Sequence, residues 1–187
     1  MEIFDVCDEN GIPTGETVER SIAHRDGIMH RTVHIWITRK EQGRWQVLLQ
    51  QRSFQKDSFP GLYDTSSAGH MQAGDEPVQA AMRELEEELG ICASEEELKL
   101  AGTYLNKYDL PFHGKMFRDR EVTFVFVLEK QVRMEDIHIQ QEELEGVDWF
   151  DLEEVFEEVM HRFRQRFCCT EEGLKILKNY LQKRNIK

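Results

Sequence analysis

The 187-residue chain is long enough to bury a real core and fits one compact domain spanning residues 1–187. Its 40% hydrophobic and 32% charged content is that of an ordinary globular protein, and no apolar run approaches the ~20 residues that cross a bilayer. A formal net charge of -12 argues against nucleic-acid binding, and an acidic protein that handles an anionic substrate needs a cation as mediator.

Ile3–Cys7 reads as a short strand, followed by a turn at Asp8-Glu9-Asn10-Gly11. An exposed edge strand there would permit a homodimer. The opening residues lack the layout of a signal peptide. Cys7, Cys92, Cys168 and Cys169 have no metal-type spacing, so a reduced, cytoplasmic protein that neither spans nor binds a membrane is the expectation. Thr32–Thr38 alternates Val33, Ile35 and Ile37 against polar neighbours, which is a period-two strand. Gln42-Gly43 turns the chain into a second strand, Trp45–Gln51, and Ser53–Ala68 is irregular. Asp75–Leu89 reads as a helix with Pro77 in its first turn and Gly90 just past its end. Leu98–Leu105 and Val122–Leu128 are strands, the second apolar enough to be central in a sheet. Val147–Phe150 is a further strand. Asp151–Phe163 and Thr170–Lys183 are amphipathic helices. The mixture predicts an α/β layered fold.

Chemistry concentrates in the helix after Gly69. Val78, Met82, Leu85 and Leu89 form an apolar stripe, while Glu84, Glu87 and Glu88 share another face with Arg83 beside it. Two such charges ~8 Å apart repel by roughly 2 kcal/mol at an effective dielectric near 20. The helix C-terminus disfavours each by a further ~0.3–1 kcal/mol. A divalent cation reverses both signs, and several carboxylates suit Mg2+ or Mn2+.

An isolated run of three glutamates is usually a solvated face, but the flanking residues change that reading. Gly69, Arg83, Glu84, Leu85, Glu87, Glu88, Gly90 and Ile91 match in register, so Gly69–Ile91 resembles the Nudix box; Asp75 stands where that family has Glu. The resemblance implies an α/β/α sandwich with a mixed β-sheet and hydrolysis of a diphosphate linkage. It also implies metal ligation by Glu84, Glu87 and Glu88, with Arg83 orienting a box carboxylate.

Much of the remaining chain is similar to type I isopentenyl-diphosphate isomerase. The similarity runs through Gly11-Ile12-Pro13-Thr14-Gly15, Gln51-Arg52, Phe59-Pro60-Gly61, Gly69-His70 and Glu121-Val122. It implies a second metal site at His24, His30, His70, Asp119 and Glu121, one Glu of the family having become Asp. Arg52 and Lys56 would hold the substrate diphosphate. That isomerase needs a cysteine before its Gly-His; Ala68 stands here, and a methyl group cannot transfer a proton. The difference favours hydrolysis, with Glu88 or Glu121 as general base, over isomerisation. Three readings are therefore open. The first is a diphosphatase acting on a nucleoside-diphosphate-linked or related organic diphosphate. The second is an isomerase-like or prenyl-diphosphate-hydrolysing enzyme, and the third, ranked last because all three glutamates are present, is a non-catalytic sensor. His34, His113, His138 and His161 read as packed or solvated. Tyr108 and Phe112 are either pocket-lining or packing residues.

Overall fold

The computed structural model describes residues 2–56, 58–112, 114–161 and 166–184. Strand β3 (His30–Glu41) turns through Gln42 and Gly43, both at positive φ (49° and 81°), into β4 (Arg44–Arg52). Two left-handed residues match the right-handed twist of a tight hairpin, and they fix the register at Glu41 opposite Arg44. Strand β8 (Lys115–Leu128) lies parallel to β3 with His30 opposite Glu121, and β7 (Leu98–Phe112) flanks it antiparallel. The short strands β5 (Tyr63–Asp64) and β6 (Ser67–His70) and the longer β9 (Leu144–Asp151) complete a seven-stranded sheet. There β6 pairs with β3, and β5 and β9 pair with β4. The sheet is mixed, since the β3–β8 pair is parallel and the others are antiparallel.

Alternate residues of the central strands feed two cores. Val33, Ile35, Ile37, Leu48, Phe126 and Leu128 pack against α2 (Pro77–Leu89). Trp36, Val47, Leu49, Val125 and Val127 pack against α3 (Leu152–Met160) and α4 (Glu171–Arg184). One helix below and two above make the expected α/β/α sandwich. Each fully buried Leu, Ile or Val contributes ~1.5–3 kcal/mol to holding the layers together. Asp151 starts α3 by accepting the backbone N–H groups of Glu153 and Glu154. The expected extension of that helix to Phe163 falls outside the described residues, as does His113.

Two N-terminal elements go beyond the sequence reading. Strand β2 (Pro13–Glu19) pairs antiparallel with β1 (Ile3–Cys7), and α1 (Arg20–Asp26) ends at Gly27 with φ 70°. Phe4, Val18 and Ala23 form a third, small core under this unit. Two further corrections concern Ser53–Ala68, expected to be irregular but containing β5 and the start of β6, and β7 and β8, which run well past the expected Leu105 and begin before Val122.

Candidate functional site

Helix α2 carries the first half of the site. Pro77 opens it, and Gly90 closes it in the left-handed conformation, with Gly90 N–H on Glu86 O and Ile91 N–H on Leu85 O, both at 3.0 Å. Leu85 and Leu89 are fully buried, and Val78 and Met82 pack at the edge of the same core. That anchored stripe turns Glu84 and Glu88 toward β6, where both are buried, while Glu87 faces solvent with 56% of its side chain exposed.

Gly69 makes room for one of these carboxylates. A Cβ there would stand 2.1 Å from Glu84 Cδ, so only glycine lets the carboxylate lie against β6. Arg83 fixes it from the other side by donating to Glu84 Oε1 at 2.7 Å, to Asp75 Oδ2 at 2.9 Å and to His70 O at 3.2 Å. The shorter arm of Asp75 therefore still reaches the arginine. Glu88 Oε2 accepts Ser67 Oγ–H at 2.7 Å and Ala68 N–H at 3.1 Å. Burial pushes the Glu88 carboxyl up to about 7 and also raises Glu84.

The second half lies on the other face of β6. Register places His30 opposite Glu121, Thr32 opposite His70, and Tyr108 opposite Asp119. Helix α1 brings in His24. His24, His30 and His70 each present a nitrogen within 4.8 Å of the others, and His30, Asp119 and Glu121 do the same with their ligand atoms. His30 Nδ1 donates to Ile28 O at 2.8 Å, which leaves Nε2 as a bare lone pair pointing inward. Asn106 Nδ2 donates to Asp119 Oδ2 and Glu121 Oε2 at 3.3 Å, so the other oxygen of each carboxylate faces the histidines. Glu121 Oε1 stands 3.5 Å from His70 Nε2 and 3.7 Å from His30 Nε2.

Both ring nitrogens of His24, Nε2 of His30 and His70, and Oδ1 of Asp119 are buried without a hydrogen-bond partner. Leaving such atoms unsatisfied costs ~1–3 kcal/mol each. Burial lowers His24 to about 3 and His30 to about 4 and holds His70 well below the usual range, so all three rings are neutral donors. Burial also raises Glu121 and lifts Asp119 to about 6. The buried ring of Phe4 stacks on His70 (4.7 Å, 6°) and on His30 (5.0 Å, 18°), holding two imidazole planes parallel. The donor set fits a divalent ion that accepts imidazole nitrogen together with carboxylate oxygen, while the Glu84–Glu88 face, all oxygen, fits magnesium or manganese.

The two cations expected to hold phosphate are engaged within the protein. Arg52 donates to Ser58 O, Ser58 Oγ and Asp64 Oδ2, and Lys56 pairs with Glu143. Lys56 is nonetheless within electrostatic reach of both Glu88 and His70, which ties the two halves of the site together. Sequence reasoning missed Phe4, Ser67 and Asn106. Asn106 had a signal only once β7 and β8 are paired through residue 121. His34, read as packed or solvated, is half-buried, with Nδ1 3.3 Å from the Tyr104 hydroxyl.

The model of the NUDIX domain family matches residues 29–168. Nudix hydrolase 3 of Arabidopsis thaliana is 38% identical over 156 residues, covering 82% of this chain but only 20% of that longer protein. An isopentenyl-diphosphate Delta-isomerase of Streptomyces avermitilis is 34% identical over 132 residues, covering 70% of this chain and 64% of that one. A crystal structure of a Deinococcus radiodurans protein shares the fold, with a TM-score of 0.68 at 19% identity over 95% of this chain and 98% of that chain. The chain belongs to the Nudix domain family, as a Nudix-type diphosphate hydrolase of the subgroup resembling type I isopentenyl-diphosphate isomerase.

Proposed function

We propose that the chain hydrolyses the diphosphate linkage of a nucleoside-diphosphate-linked or related small organic diphosphate, using Mg2+ or Mn2+ held by Glu84, Glu87, Glu88 and Glu121. A second ion would be held by His24, His30, His70 and Asp119. The observation that carries this reading is the set of buried, unpartnered nitrogens and oxygens around Glu121, next to two buried glutamates that repel each other. Arg83 meets only the Glu84 side of this pair, and a doubly charged ion would neutralise the rest.

When bound, such an ion neutralises phosphate oxygens and makes water a better acid. The chain's own residues do the rest. Ser67 Oγ–H and Ala68 N–H hold one oxygen of Glu88, leaving the other to take the proton of the attacking water. The water oxygen bonds to phosphorus as the bridging P–O bond breaks, and the products are two phosphorylated fragments. Arg83 and Asp75 keep Glu84 in place. Lys56 supplies positive charge at the diphosphate once it exchanges Glu143 for a phosphate oxygen.

A second reading, hydrolysis or isomerisation of a prenyl diphosphate, is favoured by the assembled histidine cluster. Ala68 opposes isomerisation, because it pairs with His34 at the place where the isomerases carry their cysteine. The test is a phosphate-release screen over nucleoside, sugar, coenzyme and prenyl diphosphates, with and without Mg2+ or Mn2+, alongside NMR of isopentenyl diphosphate. Metal-dependent release supports hydrolysis. Appearance of the allylic isomer without release would replace it with isomerisation, and tight binding without turnover under any metal would make the chain a sensor.

A further inference from the structure

His34 is a half-buried imidazole on a central strand that the chemistry above leaves unused. Alternate residues of a strand share a face, so His30, Thr32, His34 and Trp36 line the side of β3 that carries the histidine cluster. Thr32 opposes His70 on β6, and His34 opposes Ala68 one step of about 7 Å further along. On its other flank His34 opposes Val125 of β8. An aliphatic side chain would suit that setting better than a ring with two polar nitrogens.

A chain of hydroxyls fixes that ring. The Tyr104 hydroxyl stands 3.3 Å from His34 Nδ1, and its other neighbours decide which atom donates. Gly173 N–H donates to Thr170 Oγ1 at 3.2 Å, and the Thr170 hydroxyl donates to the Tyr104 oxygen at 2.8 Å. Thr123 Oγ1, 3.0 Å from Thr32 Oγ1, also reaches the Tyr104 oxygen. Two threonine hydroxyls thus fill the acceptor positions of the phenol, and its own hydrogen goes to His34 Nδ1. Burial raises Tyr104, which keeps that hydrogen in place, and lowers His34, which keeps the ring neutral. A neutral imidazole carries one hydrogen, so with Nδ1 accepting it sits on Nε2. The methyl of Ala68, its Cβ about 5 Å away across the ladder, is too small to cover the ring from β6.

We infer that His34 is a further catalytic residue, donating Nε2–H to the oxygen of the departing phosphate, and that Tyr104 is its positioning residue. The inference rests on the diphosphate hydrolysis proposed above. Glu88 meets β6 from the α2 side, through the Ala68 N–H at 3.1 Å, whereas His34 lies on the opposite face beside the Ala68 side chain. In-line displacement puts the attacking water and the departing oxygen on opposite sides of phosphorus, which matches that division. The water's proton passes to Glu88, its oxygen bonds to phosphorus, and the bridging P–O bond breaks with its electron pair on the departing oxygen. His34 keeps its hydrogen and shares it with that oxygen, stabilising the charge that gathers there. Because the donor is neutral and already oriented, no proton has to be loaded onto a buried ring before each turnover.

The test begins on the full wild-type chain with Mg2+, by nitrogen-15 NMR of the histidine side chains. His34 should show a hydrogen on Nε2 and none on Nδ1, and adding methylenediphosphonate, which cannot be cleaved, should move the Nε2–H resonance. Tyr104→Phe should leave circular dichroism native while giving a mixture of the two His34 tautomers. Kinetics follow on whichever of ADP-ribose and dimethylallyl diphosphate the wild type cleaves. His34→Phe keeps a ring without an N–H and should lower kcat on the order of 100-fold with KM little changed, as loss of one oxyanion donor does. His34→Gln, which restores an N–H donor, should recover most of that loss, and Tyr104→Phe should lose less than His34→Phe. A hydrogen on Nδ1, a resonance that methylenediphosphonate leaves unmoved, or near-wild-type kcat in His34→Phe would overturn the role of His34. A resonance that does move, in a chain that cleaves neither diphosphate under any divalent ion, would keep His34 as a phosphate donor and remove the hydrolase reading.

Discussion

Gly69→Ala separates catalytic geometry from folding at one atom. The added Cβ would lie 2.1 Å from Glu84 Cδ and 2.3 and 2.4 Å from its two oxygens, whereas ordinary contact begins near 3.4 Å. The carboxylate must therefore retreat by roughly 1 Å or more, since forcing it to stay would cost ~1–3 kcal/mol of overpacking. Retreat strains its 2.7 Å bond to Arg83, a charge-assisted contact worth ~1.5–3 kcal/mol. Because the atoms met are the end of a side chain rather than backbone, the protein should fold, with a Tm lower by about 2–12 °C. Displacing a reacting group by 1 Å costs on the order of 100-fold, so metal-dependent phosphate release should fall by about that factor. Thermal unfolding and steady-state phosphate release on the same preparation measure both. Adding Glu84→Asp, which shortens the arm, should recover part of the Tm loss. Turnover within about threefold of wild type in Gly69→Ala would refute the placement of Glu84 at the reacting centre.

Three further outcomes follow from the same geometry. Glu88→Gln keeps an acceptor for Ser67 and Ala68 but removes the proton acceptor, so turnover should drop at least ~100-fold while circular dichroism stays native; near-normal turnover would remove Glu88 as base. Phe4→Leu takes away the ring that aligns His30 and His70, and Mn2+ affinity measured by calorimetry should weaken by about 10–100-fold, as loss of an orienting contact commonly does. An unchanged affinity would reduce Phe4 to core packing. Chelator-stripped protein should regain stability on adding Mn2+ at about 100 times its dissociation constant, a gain of ~2.7 kcal/mol. A melting curve indifferent to metal would argue that the histidine–carboxylate cluster binds none.

Local pattern made some elements legible and pairing made others invisible. Helix α2 announced itself through a 3.6-residue stripe, Pro77 at the start and Gly90 at the end, and β3–β4 through alternation around Gln42-Gly43. Strand β2 had no such signal, since Val18 is its only buried residue and pairing to β1 alone keeps it extended. The lower hairpin, with Asp109, Pro111 and exposed Leu110, reads locally as a loop and is a strand because of its partner. The site divides the same way. The box glutamates were legible through their register in the box, and the five residues of the histidine–carboxylate cluster through the isomerase resemblance alone. Asn106 and Phe4 were not, because their roles depend on contacts 13 to 66 residues away. Arg52 was legible as a cation, but its partners Ser58 and Asp64 show that it braces the Phe59 loop and the β5 strand beside it.

The N-terminal unit bears on how the gene can be cut. Its β1 strand is stitched to the loop before α2 through Ala73 N–H on Ile3 O, Gly74 N–H on Asp5 Oδ2, and the Arg31–Asp5 pair. A domain trimmed at the family boundary near residue 29 would discard His24 and Phe4 together with these stitches. It would retain every glutamate of the box and still expose His30 and His70 to water. Boundary choice in cloning therefore decides whether a purified fragment keeps the nitrogen-rich pocket at all.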